Sequence, residues 1–269
     1  MSEPLVHLTR DSDIATLTFN DPDRRNAMTQ AMGESLVANI ATLSEDDSLR
    51  AVVLTGSGRA FSAGGDLDMI QSRADQGRAA PDGAHAAISS GMRQFYGLFL
   101  TVRDLPCHSV AAINGAAIGA GLCVALACDL RVAADEAQLG LNFTALGLHP
   151  GMGATWTLPR LVGSARAAEL LYTSRSLTGA EAAAIGLVNR AVPREAVAAT
   201  ARDLAHSIAA NGPMAVRGVK RALARSPWNE LGPQLDLEAD IQARCFATLD
   251  AQEGIAAVRE RRPPSFSGT

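Results

Sequence analysis

Several features that would narrow the function are missing from this 269-residue sequence. No apolar run is long enough, and free enough of charge and glycine, to predict a membrane span. The net charge is −4, so no basic excess indicates a nucleic-acid binder. The first residues show no basic segment followed by an apolar core, which predicts no signal peptide. We therefore expect a cytoplasmic protein with no nucleic-acid or membrane partner.

Cysteine and aromatic residues are also sparse. The aromatic content is 4%, too little to define the size of a ligand pocket. The 47% apolar and 19% charged residues are ordinary for a folded protein and exclude a disordered chain. We interpret the cysteines as structural thiols of a reduced compartment and predict no metal site, because their spacing fits no metal motif. They are Cys107, Cys123, Cys128 and Cys245.

Apolar periodicity predicts an α/β fold. Asp13–Phe19 alternates like a half-buried strand, and Leu49–Gly56 is a short apolar run closed by glycine. Between them, residues 27–46 place apolar side chains at helical spacing. Further strand patterns are SVAAINGAA and DLRVAAD. Strands separated by helices favour parallel pairing in a layered fold.

Later in the chain helical patterns dominate. The segment TGAEAAAIGLV opens on Thr178 and Glu181, which have the spacing of a capping box. We place a soft boundary near residue 205, with an α/β core over 1–205 and a helical region over 206–269. The polar, small-residue stretch 71–90 is predicted to be a mobile loop over a site.

A glycine run precedes an apolar helix pattern in NGAAIGAGLCVALACDL. Gly115, Gly119 and Gly121 there predict backbone N–H groups at a helix N-terminus, where negative charge is favoured. The spacing is also close to a dinucleotide fingerprint, which belongs after the first strand of its domain. A short-chain dehydrogenase would need lysine four residues after a tyrosine, and neither Tyr96 nor Tyr172 has one. The other interpretation is that the negative charge at this helix N-terminus belongs to an oxyanion formed during a reaction.

A second small-residue turn supports the oxyanion interpretation. SAGGD follows the strand pattern AVVLTG and leads into a predicted helix, so the chain offers N–H groups near Ala63 and near Ala120. Two converging donors can hold a thioester oxygen as it becomes an enolate or a tetrahedral oxyanion. Small residues allow the substrate to approach the backbone. Either motif alone is equally a plain tight turn.

Five segments follow one another between about Ile14 and Phe266: AFSAGGDL, AAINGAAIGAG, ACDLRVAADEAQLG, TGAEAAAIGLVNRAVP and EGIAAVRERRPPSF. In order and spacing they resemble the crotonase superfamily, which includes enoyl-CoA hydratases and isomerases. The resemblance implies a spiral core of ββα turns and a C-terminal helical trimerisation region, commonly in a dimer of trimers. It also implies an acyl-CoA thioester as ligand, with no cofactor beyond the CoA of the substrate.

The resemblance assigns roles to particular residues. The backbone N–H groups of Ala63 and Ala120 would form the oxyanion hole. Arginine suits phosphate because its planar donors form a fork, although arginines in turns are also commonly just solvated. The residues implied to contact CoA are Arg24, Arg25, Gly64, Gly65, Asp66, Leu67 and Arg261.

Both glutamates that hydratases of this family use to position and split water are replaced. Cys123 stands at the first position, and Phe143 stands at the second, which isomerases also need. A thiol with an ordinary pKa near ~8.5 is a poor substitute for a carboxylate, and phenylalanine transfers no proton. The replacements argue against ordinary hydration of a 2-enoyl-CoA.

Polar residues near these positions are the remaining candidates for proton transfer. His149 is a candidate base near neutral pH, or a loop histidine bonded to backbone. Asp68 is a second candidate, or an acid that favours a helix N-terminus. We predict that Trp156 packs in the core. The other polar candidates are His85, Asn142 and Thr144, and the predicted pocket residues are Cys123, Asn142 and Phe143.

Two functions stay open at this point. The first is an acyl-CoA enzyme that stabilises an enolate or oxyanion, in a reaction that asks little of side-chain acids, such as decarboxylation, C–C cleavage or thioester hydrolysis. The second is an acyl-CoA-binding protein without catalysis. A wholly apolar pocket would favour the binding protein, and a polar group facing the acyl chain would favour the enzyme.

Overall fold

The structure, a computed structural model, describes residues 3–269 and, within that range, all side chains but those of residues 81 and 82. The strands are β1 Val6–Asp11, β2 Ile14–Phe19, β3 Ala51–Gly56, β4 Ala60–Ser62, β5 His108–Ile113, β6 Ala116–Ile118, β7 Leu130–Ala134, β8 Leu139–Gly140 and β9 Arg190–Val192. The helices are α1 Gln30–Ser44, α2 Leu67–Ala79, α3 Pro81–Leu100, α4 Ala120–Ala127, α5 Ala154–Val162, α6 Ser164–Thr173, α7 Gly179–Ala184, α8 Val197–Ala209, α9 Pro213–Arg225, α10 Leu231–Phe246 and α11 Leu249–Glu260.

The strands form two sheets. The larger sheet has the order β1-β2-β3-β5-β7-β9, and the smaller has the order β4-β6-β8. Only β1 and β2 pair antiparallel, among the strands described. Successive pairs (β3 with β4, β5 with β6, β7 with β8) each give one strand to each sheet before the chain enters a helix. The fold is therefore α/β, a spiral of ββα turns, as predicted.

Local patterns placed the first elements correctly. The strands predicted at Asp13–Phe19 and Leu49–Gly56 are β2 and β3. Residues Ala51 to Leu54 are buried, as expected for a parallel strand covered on both faces. In α7 the Thr178 hydroxyl accepts from the N–H of Glu181, whose carboxylate accepts from the N–H of Thr178. The predicted capping box is confirmed.

The predicted mobile loop at residues 71–90 is wrong. This segment is helical and belongs to α2 and α3. Alanine, glutamine and arginine are good helix formers, so a stretch that is polar on average still forms helices. Pro81 occupies the first turn of α3, where proline is tolerated because its missing N–H is not needed. The two helices pack together and form a wall of the cavity described below.

The C-terminal helices follow the sheet rather than enter it. Helix α8 packs on β3 and β5 and runs through residue 205, so the division into 1–205 and 206–269 stays a prediction. Lys220 connects α9 to the α/β part of the chain. Its Nζ lies 3.0 Å from Asp129 Oδ2 and donates to the Cys107 carbonyl at 2.8 Å. Within residues 3–269, no helix is both long and apolar enough to cross a bilayer.

Candidate active site

The first turn of the site connects β4 to α2. Gly64 adopts a φ of +93°, which favours glycine. Its N–H donates to Ser62 Oγ at 3.1 Å, and that hydroxyl donates to the Asn26 carbonyl at 2.7 Å. Asp66 then caps α2 by accepting from the N–H of Met69 at 2.9 Å. The turn is fixed by its own polar contacts before any ligand arrives.

The second turn connects β6 to α4. Gly119 has a φ of +53°, and its N–H donates to the Gly140 carbonyl at 2.7 Å. Helix α4 begins at Ala120 and is buried along its whole length. The N–H groups of a first helical turn have no intrahelical acceptor, so this N-terminus carries a partial positive charge.

The two turns touch each other. A Cβ at Gly64 would lie 2.5 Å from the Ile118 carbonyl oxygen and 3.5 Å from the Ala120 nitrogen. A Cβ at Gly121 would lie 2.7 Å from Ser62 Cβ. Real Cβ atoms do not approach backbone this closely. Glycine at these positions therefore allows the turns to meet and brings their N–H groups to one place.

One predicted donor is corrected by this geometry. The N–H of Ala63 already donates to the Arg25 carbonyl at 2.9 Å, so it is not available to an oxyanion. The N–H of Gly65 and that of Ala120 have no acceptor among the described residues. Both residues line one cavity. The pair of free donors is Gly65 and Ala120, and Ala63 holds the turn in place.

The cavity has a volume of about 300 Å³. Its walls are mostly apolar, and no Asp or Glu is among its described lining residues. The lining residues are Ala63, Gly64, Gly65, Leu67, Met69, Ile70, Arg73, Ala74, Ile88, Met92, Phe95, Tyr96, Gly119, Ala120, Asn142, Phe143, Leu146, Leu148, His149, Gly151 and Met152. An apolar pocket with a few polar groups is typical of a small-molecule site.

The chain that forms this cavity is similar to known proteins. The enoyl-CoA hydratase/isomerase family model matches residues 9–269. The chain belongs to this family. A 1,2-epoxyphenylacetyl-CoA isomerase of Escherichia coli is 35% identical over 259 residues, covering 96% of both chains. A crotonyl-CoA hydratase of Syntrophomonas wolfei is 32% identical over 266 residues, covering 97% of both. An enoyl-CoA hydratase structure from Bacillus anthracis has a TM-score of 0.87 at 34% identity, covering 98% of this chain and 100% of its own.

The two positions that the family resemblance assigns to acids differ in their access to the cavity. Cys123 is 3% exposed and does not line it, and its Sγ lies 3.8 Å from the Gly151 carbonyl oxygen. Burial raises the pKa of this thiol to about 12, so it stays protonated near neutral pH. Phe143 lines the cavity, and its ring edge would lie 4.0 Å from a Cβ at Gly119. Neither side chain supplies a carboxylate.

Sequence reasoning missed Tyr96 as a site residue. This tyrosine lines the cavity from α3, and its hydroxyl oxygen lies where a Cβ at Gly151 would collide with it. Among the described residues no hydrogen bond engages that hydroxyl. Burial, followed by the nearby Cys123, raises the pKa of Tyr96 above its ordinary value. The group is therefore a neutral O–H donor, placed beside the first acid position.

The other polar candidates divide between cavity and surface. Asn142 and His149 line the cavity, although His149 is otherwise exposed. Asp68 and His85 are exposed and do not line it. Thr144 is also exposed, and its hydroxyl lies 2.8 Å from the Leu171 carbonyl. The structure thus brings Asn142 and His149 to the site and leaves the other three outside.

Trp156 does not line the cavity either. It is half-buried and stacks on Trp228, with ring centroids 6.3 Å apart. The guanidinium of Arg160 lies 4.2 Å from the Trp156 ring centroid. The prediction that Trp156 packs in the core is wrong, because its partners are the exposed Trp228 and the Arg160 guanidinium rather than the buried apolar residues.

The arginines predicted to bind CoA have different surroundings. Arg24 forms an ion pair with Asp66, and its second carboxylate neighbour, Asp21, lies 3.8 Å away. The exposed Arg25 lies beside a separate cavity of about 620 Å³. Arg261 is exposed at the end of α11. Gly64, Gly65 and Leu67 line the main cavity, as stated above, whereas Asp66 is used as the α2 cap. Contact of these residues with CoA stays a prediction.

Among the described residues, no three His, Cys, Asp or Glu side chains group as a metal site. The expectation that no metal or redox cofactor is needed stays a prediction, since it concerns the reaction rather than the fold.

Proposed function

We propose that this protein is an acyl-CoA enzyme that stabilises negative charge on the thioester oxygen with the N–H groups of Gly65 and Ala120. The observation that carries the proposal is the meeting of two glycine-dependent turns whose N–H donors have no acceptor within the described structure. Donors fixed in place before the reaction cost no reorganisation when charge develops, and each is typically worth about 10²–10³ in rate.

The reaction that fits these residues best takes its electron pair from the substrate. In a decarboxylation the bond to the carboxylate breaks, carbon dioxide leaves, and its bonding electrons form a thioester enolate. The two N–H groups would hold the enolate oxygen, and Tyr96 would give its proton to the α carbon and recover one from water. These reaction steps need no side-chain carboxylate, and no Asp or Glu is among the described residues that line the cavity. Hydration would require acids that Cys123 and Phe143 do not provide.

A second candidate is an acyl-CoA-binding protein without catalysis. The replacement of both expected acids favours it. The hydroxyl of Tyr96 and the amide of Asn142 at the cavity argue against it, because a pocket meant only to bind an acyl chain needs no such groups.

Purified protein incubated with malonyl-CoA and, separately, crotonyl-CoA tests the proposal. Chromatography would follow loss of malonyl-CoA, and enoyl absorbance would follow hydration. The informative variant is Ala120→Pro, which removes one N–H at the first position of α4, where proline is tolerated. Ala120→Gly keeps the N–H and is the matched control. We expect turnover of malonyl-CoA to fall about 10²–10³-fold in the proline variant only.

Other outcomes would redirect the assignment. Rapid hydration of crotonyl-CoA would contradict an acid-independent reaction. Tight binding of both thioesters without turnover would favour the binding protein. Failure to bind any CoA thioester would contradict both candidates.

We also propose that the C-terminal helices assemble the chain into a homotrimer or a dimer of trimers in the cytoplasm. Large apolar side chains on these helices are exposed, and exposed apolar patches commonly mark subunit interfaces. Light scattering after size exclusion would measure the mass, and a monomer at micromolar concentration would contradict this proposal. The exposed apolar residues include Met214, Val219, Leu223, Leu231, Leu235, Phe246, Leu249, Ile255 and Val258.

A further inference from the structure

A single cation stands in the apolar wall of the cavity. Arg73 is the one lysine or arginine among the described lining residues. It shares a face of α2 with Ile70 and Ala74, which also line the cavity. A guanidinium in an apolar wall loses hydration, so a bound anion stabilises it more there than it would in water.

The guanidinium lies against the backbone of α3 at Gly91. A Cβ at Gly91 would lie 2.8 Å from one terminal nitrogen of Arg73, 2.9 Å from the other and 3.1 Å from Cζ. Glycine therefore provides the space that the group occupies. No carboxylate or hydrogen-bond acceptor engages Arg73 within the part of the chain that the structure describes. By contrast, Arg24, at the neighbouring turn, is paired with Asp66.

Arg73 and the two turns are separated along the cavity. On α3, Gly91 and Tyr96 are five residues apart, or about 7.5 Å along the helix axis. The lining residues Met92 and Phe95 lie between them in sequence. A ligand that extends along α3 from the Tyr96 end would therefore meet apolar walls first and a cation afterwards.

We infer that Arg73 binds a carboxylate at the far end of the acyl chain, so that the preferred ligands are CoA monothioesters of dicarboxylic acids. The planar guanidinium suits a carboxylate because two parallel N–H donors can meet its two oxygens. Methylene groups would fill the apolar section between the two polar ends. This inference rests on the proposed binding of an acyl-CoA at the two turns and not on the decarboxylation step, because a carboxylate at the far end of the chain cannot leave to form the thioester enolate.

Binding measurements test the inference without knowledge of the reaction. Titration calorimetry would compare the dissociation constants of adipoyl-CoA and hexanoyl-CoA, with free CoA as the reference; succinyl-CoA and suberoyl-CoA would extend the series in length. Charge-assisted hydrogen bonds in a partly buried site predict that adipoyl-CoA binds roughly tenfold to a hundredfold tighter than hexanoyl-CoA.

Three variants locate the source of the preference. Arg73→Met should abolish it, and Arg73→Lys should keep a smaller part, since lysine keeps the charge but loses the fork. Gly91→Ala should also reduce it, because the new methyl group displaces the guanidinium. Arg93→Met is the matched control for Arg73→Met, because Arg93 is an exposed arginine on α3, the helix of Gly91, and does not line the cavity. It should leave the preference intact.

Each alternative result overturns the inference in a distinguishable way. Equal binding of the two thioesters, unchanged in Arg73→Met, would remove Arg73 from acyl recognition while leaving the acyl-CoA function standing. Equal weakening of both thioesters and of free CoA in Arg73→Met would show that Arg73 binds the CoA phosphates instead. Absence of binding to every thioester would overturn the proposed function and this inference together.

Discussion

The two turns at the end of the cavity and the two side-chain positions beside them are built differently. The turns act through backbone N–H groups, and their geometry requires glycine, because a Cβ at Gly64 would lie 2.5 Å from backbone and a Cβ at Gly121 would lie 2.7 Å from a side chain. Cys123 and Phe143 instead pack through side chains that could be exchanged for others of similar size. One half of the site is inseparable from the fold, and the other half is not.

Because of this difference, the class of ligand depends on the turns, whereas the reaction depends on the side chains beside them. A fold that keeps its turns keeps its two donors, because the same close packing that joins the sheets also aims the N–H groups. The side chains of Cys123 and Phe143 take no part in the hydrogen bonds that fix the two turns. We therefore expect chains of this family to retain thioester binding more readily than any one reaction, which the following variants test.

The largest expected effect comes from supplying the missing acids. The double variant Cys123→Glu with Phe143→Glu should raise hydration of crotonyl-CoA about 10²–10⁴-fold over the unchanged protein, the usual contribution of positioned acids and bases. The measurement is loss of enoyl absorbance. The matched control is Cys123→Gln with Phe143→Gln, which has the same shape without the acids. If a folded, thioester-binding double variant showed no gain, the side-chain half of the site would not be the missing part.

A smaller effect is expected from disturbing the turns. Gly64→Ala should lower the free energy of unfolding by about 2–4 kcal/mol, because it adds left-handed strain and a contact with the Ile118 carbonyl. Gly147→Ala is the control, since Gly147 also has a positive φ, +70°, but open space around it. It should cost only about 1–2 kcal/mol. Urea unfolding of both variants measures the difference, and equal losses would mean that the close approach is unimportant.

The first strands and helices could be predicted because their signals are local. Alternation gives β2, a short apolar run gives β3, and the Thr178 capping box marks the start of α7. The two turns were also recognisable from small residues between a strand and a helix. The prediction of a loop at residues 71–90 is wrong because average polarity says less about this segment than the helix propensity of its residues.

The details of the site depend on contacts that a local pattern does not contain. At the first turn, Arg25 determines which N–H is free, because its carbonyl accepts a hydrogen bond from the N–H of Ala63. Arg25 is distant in sequence from this turn and has a left-handed φ of 53°. The local sequence around Tyr96 shows only that no lysine follows it four residues later, which says nothing about a cavity. Had residues 71–90 been interpreted as helix, the four-residue spacing of Ile88, Met92 and Tyr96 would have indicated one face lining a cavity.

The smallest expected effect concerns the thiol at the first acid position. Burial raises the pKa of Cys123 to about 12, that of Cys128 to about 12 and that of Cys107 to about 11, well above the ordinary value of a thiol near ~8.5. Above pH 9 the unfolded thiols release protons that the folded ones retain, so stability is full below this pH and falls as pH rises toward 11 and 12.

Each thiol should contribute a loss of about 1 kcal/mol per pH unit in that window. Urea midpoints measured at several pH values between about 8 and 10.5 give the slope. Cys123→Ala should reduce the slope by about a third, and Cys128→Ala should do the same, because both thiols are buried alike. An unchanged slope in Cys123→Ala would mean that this thiol already ionises at moderate pH. The first acid position would then hold a thiol with an ordinary pKa, and the conclusion that burial keeps Cys123 protonated would be wrong.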